Sequence, residues 1–176
     1  MRKMADWVFM TRRLAVRPKR PEDAIALHSV FGDPQVMRYL GGPMESAARI
    51  EAFVAQHIAH QDKHGFSMWT LIERGSGELI GDVGYLAHED GVEIGWHLRR
   101  ASWGHGFATE AAAACLQHGM TALGFGSVSA FVEVANARSI RVIERLGMHL
   151  VRSEGGDGVP AWREYAISTS DAGHRA

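Results

Sequence analysis

One cysteine, Cys115, is all that the 176-residue sequence contains. No intrachain disulfide can form, so a core must hold the fold, and a reducing compartment, the cytoplasm, is the expected location. No apolar run of about 18 residues exists, so nothing in the chain is predicted to span a membrane. The charged start (residues 1–6) lacks the apolar stretch that would follow it in a signal peptide. An excess of either charge is missing too. Nineteen Lys and Arg stand against 20 Asp and Glu, a net charge of −1. Neither nucleic acid nor an anionic membrane is therefore an expected partner, since both favour a basic surface. Arg12, Arg13, Arg17, Lys19 and Arg20 form a local basic run, read as a solvated strand edge and loop. No internal repeat is visible.

What is present is ordinary globular composition, 46% hydrophobic and 22% charged. That length and balance predict one domain over residues 1–167, followed by a small, polar tail over 168–176. A strand is predicted over residues 8–16, ended by Pro18 and Pro21. Pro21, Glu22 and Asp23 suit a helix start, and that helix would carry Ala24, Leu27, His28 and Phe31. A second helix is predicted over 45–63, where Ile50, Phe53, Val54, His57 and Ile58 recur at helical spacing. The middle changes period. Strands over 66–72, 79–86 and 91–98, with turns at 75–77 and 88–91, predict a meander. A helix over 107–123, a strand over 127–134, a helix over 137–146 and short strands over 149–151 and 161–167 complete a mixed α/β domain, helices against one sheet.

The segment Glu93-Ile94-Gly95-Trp96-His97-Leu98-Arg99-Arg100-Ala101-Ser102-Trp103-Gly104-His105-Gly106-Phe107-Ala108-Thr109-Glu110 takes a strand through a loop into a helix. Amides at a helix start point into the loop, at the positive end of the dipole. Gly104 and Gly106 let backbone approach a bulky anion, and Arg99 and Arg100 add charge beside it, so a diphosphate suits the loop. The spacing excludes a P-loop, because Phe107-Ala108 stands where Lys-Ser/Thr belongs. It also excludes a dinucleotide fingerprint, since Thr109 takes the third glycine's place and the loop lies past mid-chain. On glycine spacing alone a tight turn serves equally well. A second segment bears on the choice. A strand over 127–134 runs into Asn136-Ala137-Arg138-Ser139-Ile140, where Asn136 suits an N-cap and Ser139 lies one turn on.

Together the strings Trp103-Gly104-x-Gly106-x-Ala108-Thr109-Glu110-Ala111, Asn136-x-x-Ser139 and Glu144-x-x-Gly147-Met148 resemble the GNAT superfamily of N-acetyltransferases, closest to its RimJ/RimL branch. Thr11-x-Arg13-Leu14-x-Val16-Arg17 is similar to that branch's first strand. The resemblance covers nearly the whole chain. It implies a three-layer domain: a central, mostly antiparallel twisted sheet, splayed at the cofactor site, with helices on both faces. It implies acetyl-CoA as cofactor, a peptide or small-molecule amine as acceptor, and a homodimer. By the same resemblance His97 and Leu98 would contact pantetheine. Trp103, Gly104, His105, Gly106, Phe107, Ala108 and Thr109 would surround the pyrophosphate, with charge from Arg99 and Arg100. Asn136 and Ser139 would line the thiol end.

Two departures stand out. Ala101 occupies a place where many members carry Gln or Arg, and Ile143 the place of a Tyr that protonates the leaving thiolate in many members. Ser139 is the substitute acid suggested by the branch, or else no acid is used. An amine must be neutral to attack a thioester, and Glu93, on the strand before the loop, is the candidate base, acting through water. His57, His60 and His64 share a helix face but have no evident Cys, Asp or Glu partner, so they are read as part of the acceptor cleft and no metal is expected. Cys115 is read as a buried structural thiol.

Overall fold

The computed structural model describes residues 7–89, 91–155 and 161–172. The charged start, Asp90 of the predicted 88–91 turn and residues 173–176 of the predicted tail lie outside these. The strands are β1 Phe9–Met10, β2 Leu14–Arg17, β3 Met68–Glu73, β4 Leu79–His88, β5 Gly91–Leu98, β6 Ser127–Glu133, β7 His149–Glu154 and β8 Trp162–Ser168. The helices are α1 Asp23–Phe31, α2 Ala47–His64, α3 Phe107–Thr121, α4 Ala137–Leu146 and α5 Thr169–Ala172. A short 3₁₀ turn, Met37–Tyr39, joins α1 to α2, and another, Arg100–Ser102, follows β5.

The strands form one sheet in the order β1-β2-β3-β4-β5-β6-β8-β7. All neighbours are antiparallel except β5 and β6. The β3–β5 meander expected from the turn residues is present. Local chemistry sets the helix ends. Ser46 caps α2 by accepting the Arg49 amide at 3.3 Å, and Gly147 ends α4 in the left-handed conformation at φ 77°.

The main core lies between the sheet and α3. Leu14, Leu71, Ile80, Val83 and Tyr85 face Ala111, Ala112 and Cys115, whose small side chains let the helix approach closely. A second core, with Leu27, Val30, Phe31, Ile50 and Val54, packs α1 and α2 together. Asp23 of α1 accepts a hydrogen bond from Thr70 of β3 at 2.7 Å, which ties these helices to the sheet.

The reading of residues 8–16 as one strand is corrected. They form a hairpin, with β1 and β2 antiparallel. The cause lies far along the chain. One Glu110 oxygen accepts the Thr11 hydroxyl at 2.6 Å and the Arg13 amide at 3.0 Å, which satisfies the polar groups of the turn. Within the segment read as a tail, Ser168 ends β8 and Thr169–Ala172 make one helical turn.

Candidate active site

Among the described residues, Glu93 and Ser129 are the single pair in register between β5 and β6. Beyond that pair the strands diverge, β5 continuing on β4 and β6 on β8. The gap widens into a cleft of about 1180 Å³, lined by β5 from Glu93 to Leu98, by β6 residues 130–133, by the glycine loop and by α4. The far wall comes from Phe31, Met37, Tyr39, Leu40, Met44, Phe53 and His57.

The mouth of the cleft is the start of α3. Gly104 and Gly106 have φ of 81° and 78°, left-handed values that glycine adopts without strain. The first helical amide with an acceptor is that of Glu110, bonded to the Gly106 carbonyl at 3.1 Å. The amides of residues 104–109 donate to no acceptor among the described residues. A Cβ at Gly104 would meet nothing within 4 Å, so that face is open. These are the bare donors that an anion needs at a helix start. Trp103 braces the turn, its Nε1 donating to the Leu98 carbonyl at 2.9 Å. Arg13 holds it from behind, donating to Glu110 Oε2 at 2.6 Å and to the His105 carbonyl at 2.9 Å while lying over the Phe107 ring.

The model of the acetyltransferase (GNAT) domain family matches residues 13–149. The chain belongs to the GNAT acetyltransferase family. It is 32% identical over 145 residues to the uncharacterized protein YkkB of Bacillus subtilis, covering 80% of this chain and 84% of that one. It is 31% identical to the uncharacterized N-acetyltransferase YoaA of the same organism, over 80% of this chain and 81% of that one. The fold matches that of a GNAT acetyltransferase from Bacillus anthracis at a TM-score of 0.80 and 24% identity, over 90% and 96% of the two chains. It also matches RimL, a ribosomal-protein alpha-N-acetyltransferase in complex with coenzyme A, at a TM-score of 0.82 and 19% identity, over 94% and 99%.

GNAT acetyltransferases use acetyl-CoA, and the cleft of this family member suits it: unpaired amides at a glycine turn fit a pyrophosphate, and the gap beside β5 fits an extended chain. Several expected contacts fall elsewhere, however. Arg99 donates to Glu78 at 2.5 Å and to Ser102 at 3.1 Å. Arg100 pairs with Asp33 at 3.3 Å. Neither lines the cleft, because at the 3₁₀ turn Arg99 is drawn to Glu78 before β4 and Arg100 to Asp33 after α1. The His105 ring stacks on Phe107 and is also off the cleft. Positive charge comes instead from α4, where Arg138, Arg141 and Arg145 line the cleft at i, i+3 and i+7. That basic stripe is legible at helical spacing in the sequence, although it lies farther along the chain from the glycines than Arg99 and Arg100.

His97 is also placed differently. The Arg99 amide donates to the Ile80 carbonyl at 2.9 Å, and β4 pairs with β5 without a register shift. Alternation then turns the His97 N–H and C=O toward β4 and those of Trp96 and Leu98 toward the gap. The Leu98 carbonyl is already held by Trp103. The backbone donors that face an extended ligand are therefore the Trp96 and Leu98 amides, while His97 offers its side chain.

Glu93 sits at the vertex. Its carboxylate accepts from the Phe131 amide and lies 3.1 Å from His88 Nε2. Burial pushes its pKa above the ordinary carboxylate value, against the pull of His88 and the Phe131 amide. Asn136 caps α4, its Oδ1 accepting the Ser139 amide at 3.2 Å. Ser139 lines the cleft beside Ile143, which is 1% exposed.

The helix histidines divide. His57 lines the cleft. His60 uses both ring nitrogens on the backbone, at the Phe66 carbonyl (2.8 Å) and the Ala87 amide (3.2 Å), so it cannot also bind a metal. His64 packs against His60. Cys115 is buried on α3, in the core between that helix and the sheet, and burial pushes its thiol pKa up, so it is no nucleophile.

Proposed function

We propose that this acetyltransferase acetylates a single primary amine, the N-terminal amine of a peptide or a small monoamine, by direct attack within a ternary complex in the cytoplasm, working as a homodimer. The row of unpaired amides from residue 104 to 109 at the mouth of the splay carries the reading. Bound there, acetyl-CoA would supply an activated thioester. Gly104, Gly106, Phe107, Ala108 and Thr109 would hold its pyrophosphate, Arg138 would add charge, and the Trp96 and Leu98 amides would orient the pantetheine and polarise the carbonyl.

Charge in the cleft narrows the acceptor. Its carboxylates are Glu93 and Glu133, against Arg38, Arg138, Arg141 and Arg145. A polycation would meet repulsion there. The far wall of Phe31, Phe53 and Leu40 suits an apolar body beside the amine. At pH 7 about a tenth of α-amines are neutral, against a few lysines in ten thousand, so an α-amine needs the weaker base. Glu93 takes up a proton through water from its place at the vertex, and Ser139 returns one at the thiol end.

Purified protein, acetyl-CoA and an amine panel, followed by free thiol release, test this. N-terminal peptides and aryl monoamines should turn over, and spermidine or kanamycin should not. CoA binding without turnover on any amine would sink the reading and leave a non-catalytic binder.

A further inference from the structure

A buried charged chain ends at the cleft and has no part in the reading so far. Asp82 of β4 is 0% exposed. Its two oxygens are divided between two partners: Oδ2 takes Lys19 Nζ at 2.7 Å, and Oδ1 takes His97 Nδ1 at 2.8 Å. The Lys19 side chain is 1% exposed, so this ion pair is sealed from water, whereas the His97 ring is 22% exposed and lines the cleft. A carboxylate on Nδ1 fixes the proton there and leaves the Nε2 lone pair free. No described residue hydrogen-bonds Nε2. The Phe31 ring, 5.4 Å away, keeps the imidazole edge-on.

We propose that His97 Nε2 is the direct acceptor of the first proton the amine loses, with Asp82 and Lys19 as its positioning residues. The proposal rests on the acetyltransferase reading above. Acylating an ammonium removes two protons from nitrogen. The first leaves before attack: an N–H bond of the ammonium breaks, an Nε2–H bond forms, and a neutral amine and an imidazolium result. Asp82 stabilises the imidazolium, while Lys19 keeps Asp82 ionised without leaving a net buried charge. The proton then passes to solvent at the exposed ring edge. Glu93 lies four residues back on the same face, about 13 Å away at strand rise. With His97 taking the first proton, Glu93 is left the second, which it draws through water. His97 sits between Trp96 and Leu98, whose amides face the gap, so it would be the titratable group nearest a carbonyl that those amides polarise.

The charged or titratable groups facing His97 are Asp82 and, through it, Lys19, with His57 across the cleft on α2 and Glu93 along the strand. His97→Gln keeps a donor for Asp82. With a peptide bearing a free N-terminal amine, it should lower kcat roughly 100- to 1000-fold, leave the Kd for CoA within about twofold, and move the acid limb of the kcat/KM profile up to the amine's own ionisation, near about pH 8. Glu93→Gln should leave the limb where the wild type has it. Added imidazole should restore part of the activity of His97→Ala. Histidine ¹⁵N spectra of the wild type should show neutral His97 protonated on Nδ1. Protonation on Nε2, or an unmoved acid limb in His97→Gln, overturns the proposal while wild-type turnover still stands. A wild type with no turnover on any amine overturns the function itself.

Discussion

The guanidinium of Arg138 lies 4.3 Å from the centre of the Trp103 ring. That stack joins the two segments on which the family resemblance rested, the glycine turn and the start of α4. It places a fixed positive charge at the residue that precedes the bare amides, and Trp103 in turn donates its indole N–H to Leu98. Removing the guanidinium should cost about 1 kcal/mol of cofactor binding, the scale of a partly exposed cation–π contact. Arg138→Ala should therefore raise the Kd for CoA about fivefold by calorimetry, with a shallower salt dependence. An unchanged Kd would mean that the stack is only structural.

Gly104 has open space around its missing Cβ but a φ of 81°. A β-branched side chain there is strained and fills the open face of the turn. Gly104→Val should abolish measurable CoA binding and lower thermal stability by only about 1–2 kcal/mol. Wild-type affinity in this variant would show that the pyrophosphate sits elsewhere.

Much of the fold could be read because local chemistry and the tertiary outcome agreed. Asn136 capped a helix whose bounds, Ala137–Leu146, were those expected, and β5 began and ended where alternation placed it. The misreadings share a cause: each depended on a partner distant in sequence. The 8–16 segment became a hairpin because Glu110, 99 positions from Thr11, satisfies its turn. Arg99 left the cleft because Glu78 waits across the sheet. Lys19 looked like one more surface cation in a basic run, and only the sheet brings it to Asp82. Sequence spacing carries no signal for such pairs, whereas the stripe of Arg138, Arg141 and Arg145 did carry one.

The Lys19–Asp82 pair gives a stability prediction with a defined sign. Burial would raise the Asp82 carboxyl, but Lys19 and His97 outweigh it and hold the pKa far below the ordinary carboxylate range. A depressed folded value means the contribution is present above the unfolded value of about 4 and is lost as pH falls toward the folded one. Urea midpoints should thus decline below pH 4. Lys19→Met leaves a buried carboxylate with His97 alone and should cost about 3–5 kcal/mol at pH 7. Lys19→Met/Asp82→Asn should cost less than Lys19→Met. A double variant as unstable as the sum of its parts would show the two residues to be uncoupled.

Ser139 is the one hydroxyl of α4 in the cleft, and no described side chain claims its Oγ. Ile143, at 1% exposure, stands where the family resemblance implied a Tyr, and the one phenol lining the cleft among the described residues, Tyr39, lies on the far wall. If Ser139 returns a proton to the departing thiolate, Ser139→Ala should lower kcat about tenfold and leave the Kd for CoA unchanged. The loss is small because a thiolate is already a weak base, a cysteine-type thiol ionising near about pH 8.5 in water, and it needs little help to depart. The loss should also grow as pH falls below that value, where the thiolate must be protonated. Steady-state thiol release at about pH 6.5 and 9.5, on either side of that ionisation, checks both features. An equal kcat for Ser139→Ala and wild type at both pH values would leave water as the proton donor and Ser139 as part of the α4 cap.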